Sequence, residues 1–188
     1  VRDAIEVLSG WISLRRITVS TAGVIPGIDA MAAWPRRPNL AVSLHAPDEE
    51  RRSRVMPINR TYPMADLLGA LRRYPLERGR KITIEYILID QWNDSLADAD
   101  QLARTLANVN CKINLIPTNP DAVLGPNMIP PPPHVVDAFQ ERLYRKGLTA
   151  TIRKRRGDDV SAACGQLRAP GREPRGFRGN ARARDLAE

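Results

Sequence analysis

Cysteine is nearly absent from this chain: there are two in 188 residues, Cys111 and Cys164, far apart. Two thiols cannot build a disulfide framework, a four-ligand zinc site or the three-thiolate site of an iron–sulfur cluster from this chain alone. Long apolar runs are missing as well. Hydrophobic residues make up 43% of the chain, yet no stretch approaches the ~20 residues of a membrane-spanning helix, which excludes a helical membrane protein. Nor does a charged segment lead into an apolar core at the start, as in a signal peptide. Instead Val1, Ala4, Ile5 and Leu8 fall on one face of a helix, so the chain reads as a piece that starts inside a domain. At this length one domain is expected.

What is present in excess is base. Arg and Lys number 29 against 21 Asp and Glu, a net charge of +8. The excess is concentrated: residues 153–188 hold ten bases and five acids. The run Arg153-Lys154-Arg155-Arg156 has two readings, a solvated surface or a phosphate-facing patch that binds nucleic acid by counterion release. Beyond it, residues 168–188 are rich in Arg, Gly, Pro and Ala with one aromatic, Phe177. Such a composition cannot bury enough apolar area to offset the entropy of ordering, and it predicts a disordered basic tail.

Between these ends, strands alternate with helical stretches. Arg16–Ser20 reads as a short strand closed by the turn signal Ala22-Gly23, and Leu40–His45 as a second strand stopped at Pro47. A basic, acid-led segment follows from Asp48 to Arg60. Met64, Leu67, Leu68 and Leu71 then recur at helical spacing, and Lys81–Ile89 is a β-branched strand closed by Asn93-Asp94. Leu96, Ala99, Leu102, Ala103 and Leu106 mark another helix, Lys112–Ile116 another strand. Pro130–Pro133 form a rigid lead into a helix with Val135, Val136, Phe139 and Leu143 on its apolar face. Ala150–Ile152 is the last strand. This alternation predicts parallel βαβ units and an α/β fold.

In such folds ligands bind at the carboxyl ends of the strands. Those ends carry Ser20-Thr21, Ser43 to His45, Asn93-Asp94 and Asn119, either as turn formers or as a ligand site. The thiols also divide. Cys111, at the threshold of an apolar strand, suits a small buried hydrophobe. Cys164 has small neighbours, an adjacent glycine and nearby cations, which suit an accessible thiol whose pKa is lowered toward the thiolate; a buried structural role stays open beside it.

Four strings carry a resemblance. They are Ile17-Thr18-Val19-Ser20-Thr21-Ala22-Gly23-Val24-Ile25-Pro26, Leu40-Ala41-Val42-Ser43-Leu44-His45-Ala46-Pro47, Cys111-Lys112-Ile113-Asn114-Leu115-Ile116-Pro117-Thr118-Asn119-Pro120, and Arg156-Gly157-Asp158-Asp159-Val160-Ser161-Ala162-Ala163-Cys164-Gly165-Gln166-Leu167. In content, order and spacing they resemble the radical S-adenosylmethionine adenine methyltransferases that modify 23S ribosomal RNA, the RlmN type. The resemblance implies a partial TIM-type barrel over residues 1–167, limited to its later strands and including a methyl-carrier loop, with residues 168–188 as a separate tail. It implies that Ser20, Ser43, Leu44, His45 and Asn119 contact S-adenosylmethionine and that Cys164 becomes S-methylated.

The family chemistry explains the thiol. The methyl group of S-adenosylmethionine and C2 of adenine are both electrophilic, so a nucleophilic carrier is needed between them. In the family a thiolate takes the methyl group, a radical generated at a 4Fe–4S cluster activates it, and the carbon adds to adenine C2 before a second cysteine releases the RNA. Implied partners are 23S rRNA, transfer RNA for related members, and an electron donor protein; the implied location is cytoplasmic, off the membrane.

The sequence also departs from the family. The Cys-x-x-x-Cys-x-x-Cys cluster motif, the glycine- and glutamate-containing loop and the resolving cysteine do not occur among these residues. The expectation is therefore a truncated C-terminal portion, inactive as it stands, whose first strand presents an unpaired edge. Two other readings are a non-catalytic basic RNA-binding remnant and a C8-directed relative sharing the same cysteine.

Overall fold

A computed structural model describes residues 1–118 and 129–153. Five parallel strands form one sheet in the order β1-β2-β3-β4-β5. They are β1 (Thr18–Thr21), β2 (Asn39–Ser43), β3 (Ile82–Leu88), β4 (Cys111–Pro117) and β5 (Ala150–Ile152). The helices are α1 (Arg2–Ser9), α2 (Ile25–Ala32), α3 (Glu49–Val55), α4 (Met64–Arg73), α5 (Leu96–Thr105) and α6 (Pro133–Arg145). Each strand lies beside its predecessor in sequence. An open doubly wound sheet would reverse direction at a switch point; this order is that of a partial (β/α) barrel.

The two faces of the sheet differ chemically. Leu40 and Val42, then Ile82, Ile84, Tyr86 and Leu88, then Ile113 and Leu115 alternate along three strands and share one core with Leu67 and Leu71 of α4, Leu102 of α5 and Phe139 of α6. Tyr86 and Phe139 stack with ring centroids 5.7 Å apart. Residues on the other face, Ser20, Ala41, Ser43, Thr83, Glu85, Lys112 and Asn114, lie outside that core. Such one-sided polarity is unlike a sheet buried by helices on both faces, whose strands are apolar throughout.

Local chemistry fixes the helix starts. Ser95 and Asp98 form a reciprocal capping box at α5, with Asp98 N–H donating to Ser95 Oγ at 3.1 Å and Ser95 N–H to Asp98 Oδ2 at 3.2 Å. Asp48 caps α3 by accepting from Arg51 N–H at 2.9 Å. Pro132 stands in an extended conformation and Pro133 opens α6, as expected of a proline tract that presets a helix.

Three local outcomes differ from the sequence-based expectation. Strand β2 ends at Ser43 rather than His45, because His45 takes a left-handed φ of 60° that no strand accommodates. Of the expected apolar face of α1, only Ile5 is buried, while Val1 and Leu8 are 85% and 46% exposed. Helices α2 and α3 occupy segments that carry no clear apolar period.

Candidate active site

Register assembles a polar row across four strands. Ser43 pairs with Glu85, Glu85 with Asn114, and Asn114 with Thr151. Registered neighbours in a parallel sheet point to the same face, so the four side chains line up at one level. Within the row Asn114 Nδ2 donates to Glu85 Oε2 at 2.8 Å. Ser43, Glu85 and Asn114 are half-buried and Thr151 is exposed. One pleat toward the amino ends, Ser20 pairs with Ala41, two residues before Ser43 and on the same face. Ser20 and Ser43 thus share a surface, and neither hydroxyl is hydrogen-bonded among the described residues.

The next residues turn away from that surface. Leu44 is fully buried in the helix-side core, and its N–H donates to the Glu85 carbonyl at 3.0 Å. Any ligand contact from Leu44 is therefore made by backbone. His45 Nδ1 accepts a hydrogen bond from Ile87 N–H at 3.2 Å, which fixes that nitrogen as unprotonated. Burial, with the Arg52 charge adding to it, lowers the His45 pKa to about 4, so the ring is neutral at pH 7.

Two buried polar residues hold this end of the sheet. Asn93, fully buried, donates from Nδ2 to the carbonyls of His45 at 3.1 Å and Ile87 at 2.7 Å, and its Oδ1 accepts from Ile89 N–H at 2.8 Å. Tyr86 donates its hydroxyl to the Asn93 carbonyl at 3.1 Å. Arg52, also fully buried, reaches from α3 to the carbonyls of Ala22 at 2.8 Å and Ser43 at 3.3 Å, and donates to Asn59 Oδ1. The loops after β1, β2 and β3 are thereby tied to one another.

Of the residues expected to contact a cofactor, Ser20, Ser43, Leu44 and His45 lie at or beside the carboxyl ends of β1 and β2. Asn119 and Cys164 lie outside the described residues, as do the expected tail and basic run past Arg153. Glu85 and Asn114 were not anticipated. Their signal is a polar residue at alternate positions inside strands that otherwise read as buried, Thr83 and Glu85 in β3, Lys112 and Asn114 in β4.

Hydroxyls, a carboxylate and an amide on one surface suit a ligand bearing both hydroxyl groups and positive charge, and S-adenosylmethionine is of that kind. The cluster is different. Cys111 is 4% exposed and burial pushes its thiol up to about 11, the opposite of a metal-binding thiolate. With two cysteines in all, this chain does not provide a 4Fe–4S site. Among the described residues no group of His, Cys, Asp and Glu could hold a metal ion, and no helix is long and apolar enough to cross a membrane.

Known proteins resemble this chain in sequence and fold. No family model matches the chain. It is 50% identical over 165 residues to the dual-specificity RNA methyltransferase RlmN of Sorangium cellulosum, covering 87% of this chain and 42% of that protein. The probable dual-specificity RNA methyltransferase RlmN of Moorella thermoacetica is 48% identical over 166 residues, 88% of this chain and 46% of its own length. In three dimensions the chain is similar to a radical SAM methyltransferase from Sphaerobacter thermophilus, with a TM-score of 0.74 and 48% identity over 81% of this chain and 44% of that one. A domain of pyruvate-formate lyase-activating enzyme from Bacteroides vulgatus shares the fold at 21% identity, with a TM-score of 0.51. The chain spans less than half the length of the curated relatives it matches.

Proposed function

We propose, from the homology of this chain over most of its length to a part of the RlmN-type radical SAM methyltransferases, that it works as the later-strand portion of an RNA methyltransferase. The substrate is an adenine in 23S rRNA, and in transfer RNA, modified at C2. The polar row from Ser43 through Glu85 and Asn114 supports this reading beyond the homology, because it puts free hydroxyls and a carboxylate on the surface that carries Ser20.

In this reading Ser20 and Ser43 bind the cofactor through their hydroxyls, Leu44 and His45 through backbone, and Asn119, two residues past β4 in sequence, joins them. S-adenosylmethionine, when bound, supplies an electrophilic methyl group. Cys164 would be the nucleophile for that methyl group, as a thiolate after losing its proton, with the sulfonium sulfur as the leaving group. The cations from Arg153 to Arg156 favour the thiolate and hold RNA phosphates. No later step is assigned to these residues, since they do not hold the cluster that activates the methyl group.

The test is a chimera in which residues 1–167 replace the matching segment of the Sorangium relative. Digested RNA should contain 2-methyladenine, and Cys164→Ala in the chimera should abolish it while leaving salt-sensitive RNA binding nearly unchanged. 8-Methyladenine would instead assign a C8-directed enzyme. A folded chimera that binds RNA yet yields no methyladenine would favour the RNA-binding remnant.

A further inference from the structure

All five strands run parallel, so the links that lead into them meet at one end of the sheet, opposite Ser43 and His45. These links are residues 10–17, 33–38, 74–81, 106–110 and 146–149, and together they hold eight bases and one acid, Glu77. At the other end the balance is reversed: residues 44–63 and 89–98, which follow β2 and β3, hold four bases and six acids. Bases near a helix C-terminus answer the helix dipole, an effect confined to the last turn. Arg36, Arg78 and Lys81 lie well past the ends of α2 and α4, so the dipole does not account for them.

Hydrogen bonds draw neighbouring links together at this end. Arg80 Nη1 donates to the Arg37 carbonyl at 2.7 Å, Asn39 Nδ2 to the Arg15 carbonyl at 2.7 Å, and Ile82 N–H to the Asn110 carbonyl at 3.1 Å. The one acid is already engaged, with Glu77 Oε2 lying 3.2 Å from Arg80 Nη2. By contrast, Arg15, Arg16, Arg36, Arg78 and Lys81 are exposed, and their side chains form no ion pair or hydrogen bond among the described residues. Four of these five are arginines, whose planar fork matches the oxygens of a phosphate. Like charges gathered without counter-acids repel one another. A polyanion relieves that repulsion, and the counterions condensed on it are released when it binds.

We propose that the amino-terminal end of the sheet is an RNA-binding surface, on which Arg15, Arg16, Arg36, Arg78 and Lys81 contact backbone phosphates outside the nucleotide that is methylated. The choice of RNA over another polyanion rests on the methyltransferase reading; the one-sided charge does not. Contacts to phosphates add affinity without reading sequence. Their effect is therefore on the hold over RNA and not on the methyl transfer at the opposite end of the sheet.

The experiment is fluorescence anisotropy of the full chain with a labelled oligouridylate over a series of salt concentrations. Arg78→Gln combined with Lys81→Gln removes two bases that support no other group. Affinity near physiological salt should fall roughly tenfold, and the slope of log affinity against log salt should shrink by ~1.4, the release expected for two single-strand phosphate contacts. A control pair from the other end, Arg54→Gln with Arg60→Gln, changes net charge equally and should stay within about twofold of wild type, because charges beyond a Debye length are largely screened. All four positions are exposed, and an unchanged thermal midpoint checks the fold of each variant. In the chimera with the Sorangium relative, the Arg78 and Lys81 pair should raise the RNA concentration for half-maximal methylation by the same factor and leave the maximal rate unchanged. A chimera that methylates nothing, while this pair still weakens RNA, would remove the methyltransferase reading and keep the surface. Wild-type affinity in the Arg78 and Lys81 variant, or equal losses in the two pairs, would overturn the surface; tighter binding of polyglutamate than of the oligouridylate would overturn RNA as its partner in favour of an acidic protein.

Discussion

Arg52 reaches out of α3 to the carbonyl oxygen of Ala22 at 2.8 Å, which places a fully buried guanidinium directly beneath Gly23. Gly23 stands at φ +106°, and a Cβ built on it would come within 3.0 Å of Arg52 Nη2 and 3.1 Å of Leu67 Cδ2. The turn after β1 thus combines a backbone conformation that favours glycine with side-chain contacts that a Cβ would make tight. Gly23→Ala is expected to lose about 2 kcal/mol through strain and displacement of the guanidinium. Arg52→Met strands the carbonyls of Ala22 and Ser43, and its expected cost is about 3 kcal/mol. Arg52→Lys, with charge but no fork, should fall between Met and wild type. Urea unfolding measures all three; an Arg52→Met variant as stable as wild type would remove the clamp from consideration.

Asn93 supports the same end of the sheet by a different device, one amide serving both donors and acceptor. Asn93→Ala abandons the His45 and Ile87 carbonyls and the Ile89 N–H, an expected loss of about 3 kcal/mol. Asn93→Asp is the sharper test. Its carboxylate would face two carbonyls that need donors, so the variant's loss relative to wild type at the same pH should be largest at neutral pH and shrink on acidification, when the protonated acid regains one donor. Parallel denaturation curves at two pH values decide it; an Asn93→Asp variant whose loss does not shrink would contradict the assigned geometry.

His45 makes folding pH-dependent with a defined sign. Its pKa is about 4 in the folded chain against 6.5 for the free side chain, so between those values the unfolded state holds the extra proton. Stability is fully present above pH 6.5 and is lost as pH falls toward 4, below which both states are protonated. The full loss is roughly 3 kcal/mol. His45→Asn tolerates the left-handed backbone and has no such titration; its stability should be lower at pH 7 but flatter between pH 6.5 and 4. A wild-type profile equally flat over that range would refute the assignment.

How much of this could be read from residues alone varies with the element. Alternation in β3 and β4 and the spacing of Leu67, Leu68 and Leu71 are legible because each buries one face against a continuous core. Helix α3 is not, since Glu-Glu-Arg-Arg-Ser-Arg-Val has no apolar stripe and the residue it buries is Arg52. Helix α2 is obscured by Pro26 and Gly27 in its first turn, where a proline is tolerated because the N–H it lacks has no intrahelical partner. The site divides in the same way. Strand ends announce Ser20 and Ser43, whereas the row joining Ser43 to Glu85 and Asn114 depends on strand register, a long-range property that no local pattern encodes.

Register also makes Glu85 the decisive residue of the proposed cofactor surface. Its carboxylate is half-buried and carries the negative charge in the row, while Asn114 spends one donor on it at 2.8 Å. Glu85→Gln keeps the size and leaves an oxygen for Asn114, so the fold should be nearly unaffected; what disappears is charge facing a cationic ligand. In the chimera with the Sorangium relative, S-adenosylmethionine affinity should fall roughly tenfold to a hundredfold, the worth of one charge-assisted hydrogen bond. Thr151→Ala, at the exposed end of the same row, should leave affinity within about twofold, as expected of a group that already competes with water. Calorimetric titration of the three proteins separates these outcomes. Unchanged affinity in Glu85→Gln would mean that the row supports the sheet and not the ligand, because a purely structural carboxylate is replaced by its amide without effect on binding.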